Sequence, residues 1–170
     1  MNSYSLSNRL LLSLPQRDLK QLASKLELIR CEQDQILLDV DGSIDNVFFP
    51  DSGVISFVAV YADGNVIEMA TIGREGCTGV QALLGAKRSS ARLLVQIPGS
   101  AAKMSRVAFN RAMKSLPSFR DLMLAYVQAF LEQVLVSAAC KPQREAGTLA
   151  ANNARPQRRR CDADHTRPAC

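Results

Sequence analysis

The strongest constraint on the fold is a change in the spacing of apolar residues along the chain. Between residues 26 and 97, short apolar or β-branched runs alternate with turn residues, whereas residues 118–140 contain neither glycine nor proline. Short strands at near-regular spacing are typical of an antiparallel sandwich or barrel, and a long run without a breaker is typical of a single helix. The sequence therefore predicts a mainly β domain followed by a long helix.

Six runs are predicted to form strands. They are residues 26–31, 36–40, 47–49, 54–61, 65–72 and 93–97. Asp63-Gly64 lies between the fourth and fifth runs and predicts a tight hairpin, because the primed turns that suit hairpins require positive φ. The runs do not alternate with helices, which argues against a doubly wound nucleotide-binding sheet.

Helical spacing flanks the predicted strands. Residues 8–14 form a short apolar run that stops at Pro15, and residues 16–26 then place apolar side chains at i, i+3, i+4 and i+7, as in an amphipathic helix. Residues 107–116 predict a second short helix that ends before Pro117. The β-rich region is therefore expected to have helices on both sides.

The predicted long helix is apolar on more than one face. Such a helix must be buried on more than one face. Covering its own β domain uses one face, and the other is predicted to pack against the same helix of a second chain in a symmetric homodimer. The predicted interface consists of Leu124, Val127, Leu131 and Val134. The alternative is a helix buried wholly inside one domain.

The net charge of +5 comes mainly from the C-terminal segment. Residues 141–170 hold seven Lys or Arg against three acidic residues, and Leu149 is their only large apolar side chain. The segment is predicted to be disordered. Nonspecific nucleic-acid binding through its arginines is one alternative function, but the near-neutral balance of residues 1–140 gives the domain itself no basic surface.

Residues 1–140 lack the side chains that several classes of chemistry require. The only histidine is His165, so a histidine-ligated metal, a Ser-His-Asp triad and a Cys-His dyad are not expected in the domain. The five cysteines form no CxxC pair and are odd in number, which favours a reduced, cytoplasmic chain. No run approaches the roughly 20 apolar residues that cross a membrane. The sequence predicts neither an enzyme nor a membrane protein.

The most distinctive segment is residues 73–80, which read Gly-Arg-Glu-Gly-Cys-Thr-Gly-Val. A glycine-rich turn between a strand and a helix can direct backbone N–H groups at an anion. The candidate effector pocket consists of Gly76, Cys77, Thr78, Gly79, Arg88, Ser89 and Ser90. The alternative is a glycine-rich corner of the barrel beside a solvated loop. Cys77 is either a reactive thiol at the turn or an inert packed side chain.

Separated strings along the chain carry a resemblance to a known family. They are Asn8-Arg9-Leu10-Leu11 with Leu14-Pro15, Val47-Phe48-Phe49-Pro50-Asp51-Ser52-Gly53-Val54-Ile55-Ser56, Ile72-Gly73-Arg74-Glu75-Gly76, Leu83-Leu84-Gly85, Val95-Gln96-Ile97-Pro98-Gly99 and Ala138-Ala139-Cys140. In this order they resemble the sensory half of Crp/Fnr-type bacterial transcription regulators, over roughly residues 8–140.

The resemblance implies a jelly roll of the cyclic-nucleotide-binding type, which is an antiparallel double-stranded β-helix. It implies a sensory β-roll domain over residues 1–116 and a dimerisation helix over 117–140, which leaves 141–170 as a tail. In complete members of the family a winged helix-turn-helix follows and binds DNA. The runner-up interpretation is a jelly-roll enzyme of the cupin type, which the absence of core histidine disfavours.

The effector is not predicted to be a cyclic nucleotide. In family members that bind one, a Gly-Glu-Leu-Gly turn and a following Arg-Ser hold the ribose and the cyclic phosphate. Here Cys77 takes the place of that glutamate, and Ser90 falls near the place of that arginine. Without the arginine a cyclic phosphate loses a bidentate, charge-assisted contact. An N-terminal cysteine cluster for an iron–sulfur centre and a core histidine for haem are also missing, so the effector is left open.

The tail departs from the family more strongly. A complete member continues with an amphipathic helix containing a string similar to Glu-Arg-Leu-Ala-Arg-Trp-Leu-Leu, which the chain does not contain. The possible codons of residues 144–151, read one nucleotide later, permit that string in order. We therefore expect residues 141–170 to be a frameshifted tail on a regulator truncated before its helix-turn-helix.

Overall fold

The computed structural model describes the backbone of residues 6–61 and 64–139 of the chain and the side chains of residues 6–61 and 64–136. In this part of the chain the helices are α1 (Arg9–Leu12), α2 (Gln16–Ala23), α3 (Val80–Leu83), α4 (Arg106–Ser115) and α5 (Pro117–Ala139). The strands are β1 (Glu27–Cys31), β2 (Ile36–Leu38), β3 (Asn46–Pro50), β4 (Val54–Val60), β5 (Val66–Ile72), β6 (Arg92–Ile97) and β7 (Gly99–Ser105). The predictions for residues 141–170 lie outside the described residues.

The strands form two antiparallel sheets. One has the order β1-β7-β3 and the other β2-β6-β4-β5. The β1, β7 and β3 strands pair in unbroken register, whereas β4 shifts register against β5 between Phe57 and Val58. The predicted fold class is confirmed, since an antiparallel β-roll is flanked by helices and followed by a long helix.

The predicted hairpin joins β4 to β5. Val60 pairs with Val66, and the Tyr61 N–H donates to the Asn65 carbonyl oxygen at 2.9 Å. Gly64 has φ +84° and donates its N–H to the Tyr61 carbonyl oxygen. Glycine reaches this conformation without the steric cost that other residues incur. The glycine of Asp63-Gly64 therefore predicted the turn correctly.

Strand β7 was not predicted, although it is the central strand of its sheet. It contains Ala101 and Ala102, which have low β propensity, and both side chains are fully buried. Ala102 lies opposite Phe49 of β3, and both residues belong to one buried cluster. The small side chain leaves room for the large neighbour, so packing and not propensity makes this segment a strand.

Helix α5 is part of the core of the roll. Phe119 and Met123 pack in a cluster with residues of α1, α2 and α4, and Phe130 packs in a second cluster between the sheets. The Phe130 ring meets the Phe57 ring edge-to-face, with centroids 5.5 Å apart. The predicted boundary between residues 116 and 117 therefore marks the start of a helix, whose inner face belongs to the same hydrophobic core as the sheets.

None of the helices in the described ranges combines the length and the apolar character needed to cross a membrane.

Candidate functional site

The glycine-rich turn connects β5 to α3 and is fastened to β3. The Thr78 N–H donates to the Phe48 carbonyl oxygen at 2.9 Å, and the Phe48 N–H donates to Thr78 Oγ1 at 2.9 Å. Gly76, Cys77, Thr78 and Gly79 are all buried. Two polar groups of Thr78 are therefore used inside the fold and are not directed at a ligand.

The glycines of the turn allow two close approaches. A Cβ at Gly76 would lie 2.6 Å from the Tyr126 hydroxyl oxygen, and a Cβ at Gly79 would lie 2.9 Å from Val47 Cγ1. The Tyr126 hydroxyl also donates to the Cys77 carbonyl oxygen at 2.9 Å. These contacts explain the two glycines as a barrel corner packed against α5 at Gly76 and against β3 at Gly79, which favours that interpretation. The anion-binding interpretation stays a prediction.

Cys77 is a packed thiol. Its side chain is 1% exposed, and its Sγ lies 4.0 Å from Met123 Sδ of α5. Burial raises the pKa of the Cys77 thiol to about 12. Because the thiolate is the reactive species, this environment favours an inert packed side chain over a reactive thiol.

The second part of the candidate pocket is held to α3 through Gln81. Gln81 Nε2 donates to Ser90 Oγ at 2.8 Å, and Gln81 Oε1 lies 2.7 Å from Ser89 Oγ. Ser89 Oγ also lies 2.6 Å from the Ala91 carbonyl oxygen and accepts the Ala91 N–H. The structure therefore attaches Ser89 and Ser90 to α3, the helix that directly follows the glycine-rich turn, with both serine hydroxyls already bonded to the chain.

The guanidinium groups of this region are engaged as well. Arg88 Nη1 donates to the Asp41 carbonyl oxygen at 2.6 Å. Arg92 forms a bidentate pair with Asp39, at 2.8 and 3.3 Å, and its hydrogen bond lowers the pKa of the Asp39 carboxyl. A phosphate group in this pocket would have to compete with bonds that the chain already makes.

Sequence reasoning missed the polar clasp that attaches the N-terminal segment to the turn. Asn8 is fully buried, and its Nδ2 donates to the carbonyl oxygens of Pro50 at 2.8 Å and Gly76 at 3.0 Å. Its Oδ1 caps α1 by accepting the Leu11 N–H. Asp51 Oδ1 accepts the N–H groups of Ser7 and Asn8. The signal was present, because asparagine before an apolar run is a common N-cap.

The outer face of α5 carries an apolar stripe. Leu124, Leu131 and Leu135 are 51%, 46% and 69% exposed, and their spacing of seven and four residues places them on one side of the helix. Val134 is half-buried. Val127, which the sequence analysis assigned to the same interface, is 7% exposed and belongs to the cluster of Phe57 and Phe130. Its contacts lie inside its own chain.

Within residues 6–61 and 64–139, no three His, Cys, Asp or Glu side chains come close enough together to hold a metal ion.

Comparison with known proteins identifies the fold. No protein-family model matches the chain, and none of the curated proteins does. Among solved structures, a cyclic nucleotide-binding domain from Methylobacillus flagellatus is similar, with a TM-score of 0.65, 15% identity and 85% of each chain covered. The c-di-GMP-responsive regulator CLP of Xanthomonas campestris matches with a TM-score of 0.64 and 12% identity, over 74% of this chain. The catabolite activator protein of Thermus thermophilus matches with a TM-score of 0.63 and 15% identity, over 76% of this chain.

These likenesses establish a cyclic-nucleotide-binding-domain fold. The chain spans 61% of the length of CLP and 61% of the length of the catabolite activator protein. These three similar proteins are two regulators and a cyclic nucleotide-binding domain, and at 12–15% identity the likeness shows the fold alone.

Proposed function

We propose that the chain is the effector-sensing and dimerising part of a Crp/Fnr-type transcription regulator that acts in the cytoplasm. The fold shared with two bacterial regulators supports this role, as do the separated strings that resemble the family. In this proposal the chain is not an enzyme, and DNA binding is a property of complete family members with a helix-turn-helix.

The observation that carries the proposal is the two-sided character of α5. Its inner side chains, such as Phe119 and Phe130, are buried against the roll, while Leu124, Leu131 and Leu135 remain exposed in a row. A row of exposed leucines on a long helix is costly in water and suits a symmetric partner. We infer that two copies pair through this stripe, with Leu135 added to the predicted set and Val127 supporting the helix from within.

Light scattering after size exclusion tests the dimer. We expect the full chain to be a dimer at micromolar concentration and Leu124→Asp with Leu131→Asp to be a monomer with unchanged far-UV circular dichroism. Val107→Asp is the control, because Val107 is an exposed apolar residue on a different helix, α4. A monomeric wild-type chain, or a doubly substituted chain that stays dimeric, would reject the proposed interface.

The proposed truncation concerns residues outside the described part of the chain. Sequencing the coding DNA from about codon 136 onward, with all three frames read, tests it. An open helix-turn-helix in the shifted frame supports a frameshifted tail on a DNA-binding regulator. Absence of such a frame rejects the frameshift and leaves the proposed dimer to be judged by its own experiment.

The cupin-type enzyme differs from this proposal in one measurable respect. A jelly-roll enzyme of that type carries a stoichiometric metal, whereas the proposed sensory domain needs none for its fold. Elemental analysis of the purified chain distinguishes the two. One metal per chain, resistant to dialysis, would favour the enzyme.

A further inference from the structure

A solvent-open cavity of about 430 Å³ borders the candidate effector pocket, since Gly73, Arg74 and Glu75 line it and Gly76 follows them in the chain. It forms where α1, the turn between β3 and β4, and the loop after β5 meet, and Arg9, Ser52 and Arg74 are among its lining residues. Ligand cavities in proteins commonly have volumes of roughly 300–1,000 Å³. The cavity is therefore large enough for a small ligand.

Two arginines supply positive charge to this cavity. The Arg9 N–H donates to the Arg74 carbonyl oxygen at 2.6 Å, so the two side chains start from neighbouring backbone positions. Both residues are exposed. The ion pairs among the described residues are Arg92 with Asp39, Lys103 with Glu27 and Arg120 with Asp121. Neither cavity arginine is engaged by a carboxylate in that part of the chain.

The backbone around the two arginines is fixed. Asn8, which precedes Arg9, is fully buried and donates to the Gly76 carbonyl oxygen two residues after Arg74. The Asn8–Gly76 bond thus lies next to the Arg9–Arg74 backbone bond, and together they hold the start of α1 against the loop. Two guanidinium groups on a fixed backbone lose less freedom on binding than two groups on separate mobile loops.

The remaining polar groups of the lining favour an anion. Glu75 is the carboxylate among the lining residues, and its Oε1 accepts the Gly73 N–H at 3.2 Å. Thr71 adds a hydroxyl group, whereas the Ser52 hydroxyl already accepts the Ser100 N–H at 3.0 Å and lies 3.1 Å from Ser100 Oγ. The lining therefore has two positive charges against one negative charge that is turned toward the loop backbone.

We propose that Arg9 and Arg74 form a binding site for a small anion, of the phosphate or carboxylate class. Guanidinium groups bind both through paired, charge-assisted hydrogen bonds. The site goes beyond the proposed regulatory function, because it does not involve α5 or the candidate effector pocket. A bound anion would lie against the first residues of the glycine-rich turn, Gly73 to Glu75.

Isothermal titration of the full chain with inorganic phosphate and, separately, with acetate tests the site at low ionic strength. We expect saturable binding of one anion per chain, weakened about tenfold by Arg9→Ala or Arg74→Ala. Glu75→Gln should strengthen binding, since it removes the negative charge and keeps an acceptor for the Gly73 N–H. Preference for phosphate or for acetate assigns the ligand class. Arg30→Ala, on the exposed surface of β1, is the matched control.

Lysine variants keep the proposal testable if an alanine variant fails to fold. Arg9→Lys and Arg74→Lys keep the charge and the backbone bond but lose the planar fork, so they should bind more weakly than the wild type and more tightly than the alanine variants. Binding that is absent in the wild type overturns the site. Binding that survives Arg9→Ala and Arg74→Ala as well as it survives Arg30→Ala overturns it too.

Discussion

The Tyr126 hydroxyl of α5 donates to the Cys77 carbonyl oxygen at 2.9 Å and so joins the long helix to the glycine-rich turn. Burial, with the neighbouring Cys77 as a smaller cause, raises the pKa of the Tyr126 hydroxyl well above its ordinary value, which keeps it a donor. Because Gly76 lacks a Cβ, the ring can lie directly against the turn. Any movement of this part of α5 away from the roll must break that bond.

Removing the hydroxyl tests how much the bond contributes. Tyr126→Phe should lower the free energy of unfolding by about 1 kcal/mol, because a hydrogen bond is lost and a shielded carbonyl is left without its donor. Urea unfolding measures the change. Tyr61→Phe is the matched control, since Tyr61 is 53% exposed at the hairpin. Equal effects of the two substitutions would mean that the Tyr126 bond adds nothing to stability.

Gly76→Ala tests the close approach itself. The added Cβ would lie 2.6 Å from the Tyr126 hydroxyl oxygen and 3.1 Å from the nearest ring carbons. We expect a loss of about 1–3 kcal/mol in the wild-type background, as for other overpacked sites. The loss should be smaller in the Tyr126→Phe background, where the closest atom is gone. Strictly additive losses would show that Gly76 and Tyr126 are not coupled.

Cys77 should resist alkylation in the folded chain. Its pKa of about 12 leaves almost no thiolate at neutral pH, and its side chain is 1% exposed. Iodoacetamide labelling followed by peptide mass spectrometry should modify Cys77 only when the chain unfolds, so its rate should rise steeply with urea. Rapid labelling of Cys77 in the absence of urea would restore the reactive-thiol alternative.

The sequence predicted the fold well at positions where the residue type alone indicates the local structure. Gly64 marked the hairpin, and the β-branched and aromatic residues of β4 marked a buried strand. Strand β7 was not predicted because Ala101 and Ala102 have low β propensity and are held in the strand by tertiary packing, such as that of Ala102 opposite Phe49. On α5, Val127 and Leu131 are both aliphatic in an apolar stretch, and the packing of the helix on a cluster that includes Phe57 determines that Val127 is the buried one.

The candidate site was harder to predict, because its contacts join distant residues. Asn8 and Gly76 are 68 positions apart, and no local pattern relates an N-cap to a glycine carbonyl in another loop. Gln81 was not singled out, since a glutamine in a short helix has no distinguishing neighbour in the sequence. Its amide bonds to Ser89 and Ser90 exist because α3 folds back on the segment before β6.

Gln81 provides a test of the candidate pocket. Gln81→Ala frees the hydroxyls of Ser89 and Ser90 from α3, and the loss of two partly exposed hydrogen bonds should lower the free energy of unfolding by about 1 kcal/mol. Urea unfolding measures the change. Gln21→Ala, at an exposed position of α2, serves as the control for Gln81→Ala.

Addition of cAMP or cGMP should leave the melting temperature of the wild type unchanged, because Arg88 and Arg92 are already bonded. A saturable shift with either nucleotide would contradict this prediction.

Asp51 gives the fold a pH dependence of predictable sign. The carboxyl is 4% exposed, its Oδ1 accepts two N–H groups, and its Oδ2 has no hydrogen-bond partner among the described residues. Burial raises the pKa of Asp51 above its ordinary value of 3.8, against the opposing effect of the bonds from Ser7 and Asn8. Between those two pKa values the folded chain keeps a proton that the unfolded chain has lost.

The folded state therefore binds more protons in that window, and the free energy of unfolding falls as the pH rises through it. Asp51→Asn keeps a side-chain carbonyl for the two N–H groups and carries no titrating proton. The stability of Asp51→Asn relative to the wild type should be lowest below pH 3.8, increase between pH 3.8 and the raised pKa, and level off above it. Urea unfolding of both proteins across the acid range measures this difference. Other carboxyl groups titrate in both proteins and cancel, so a flat difference would mean that Asp51 is not held in a proton-favouring site.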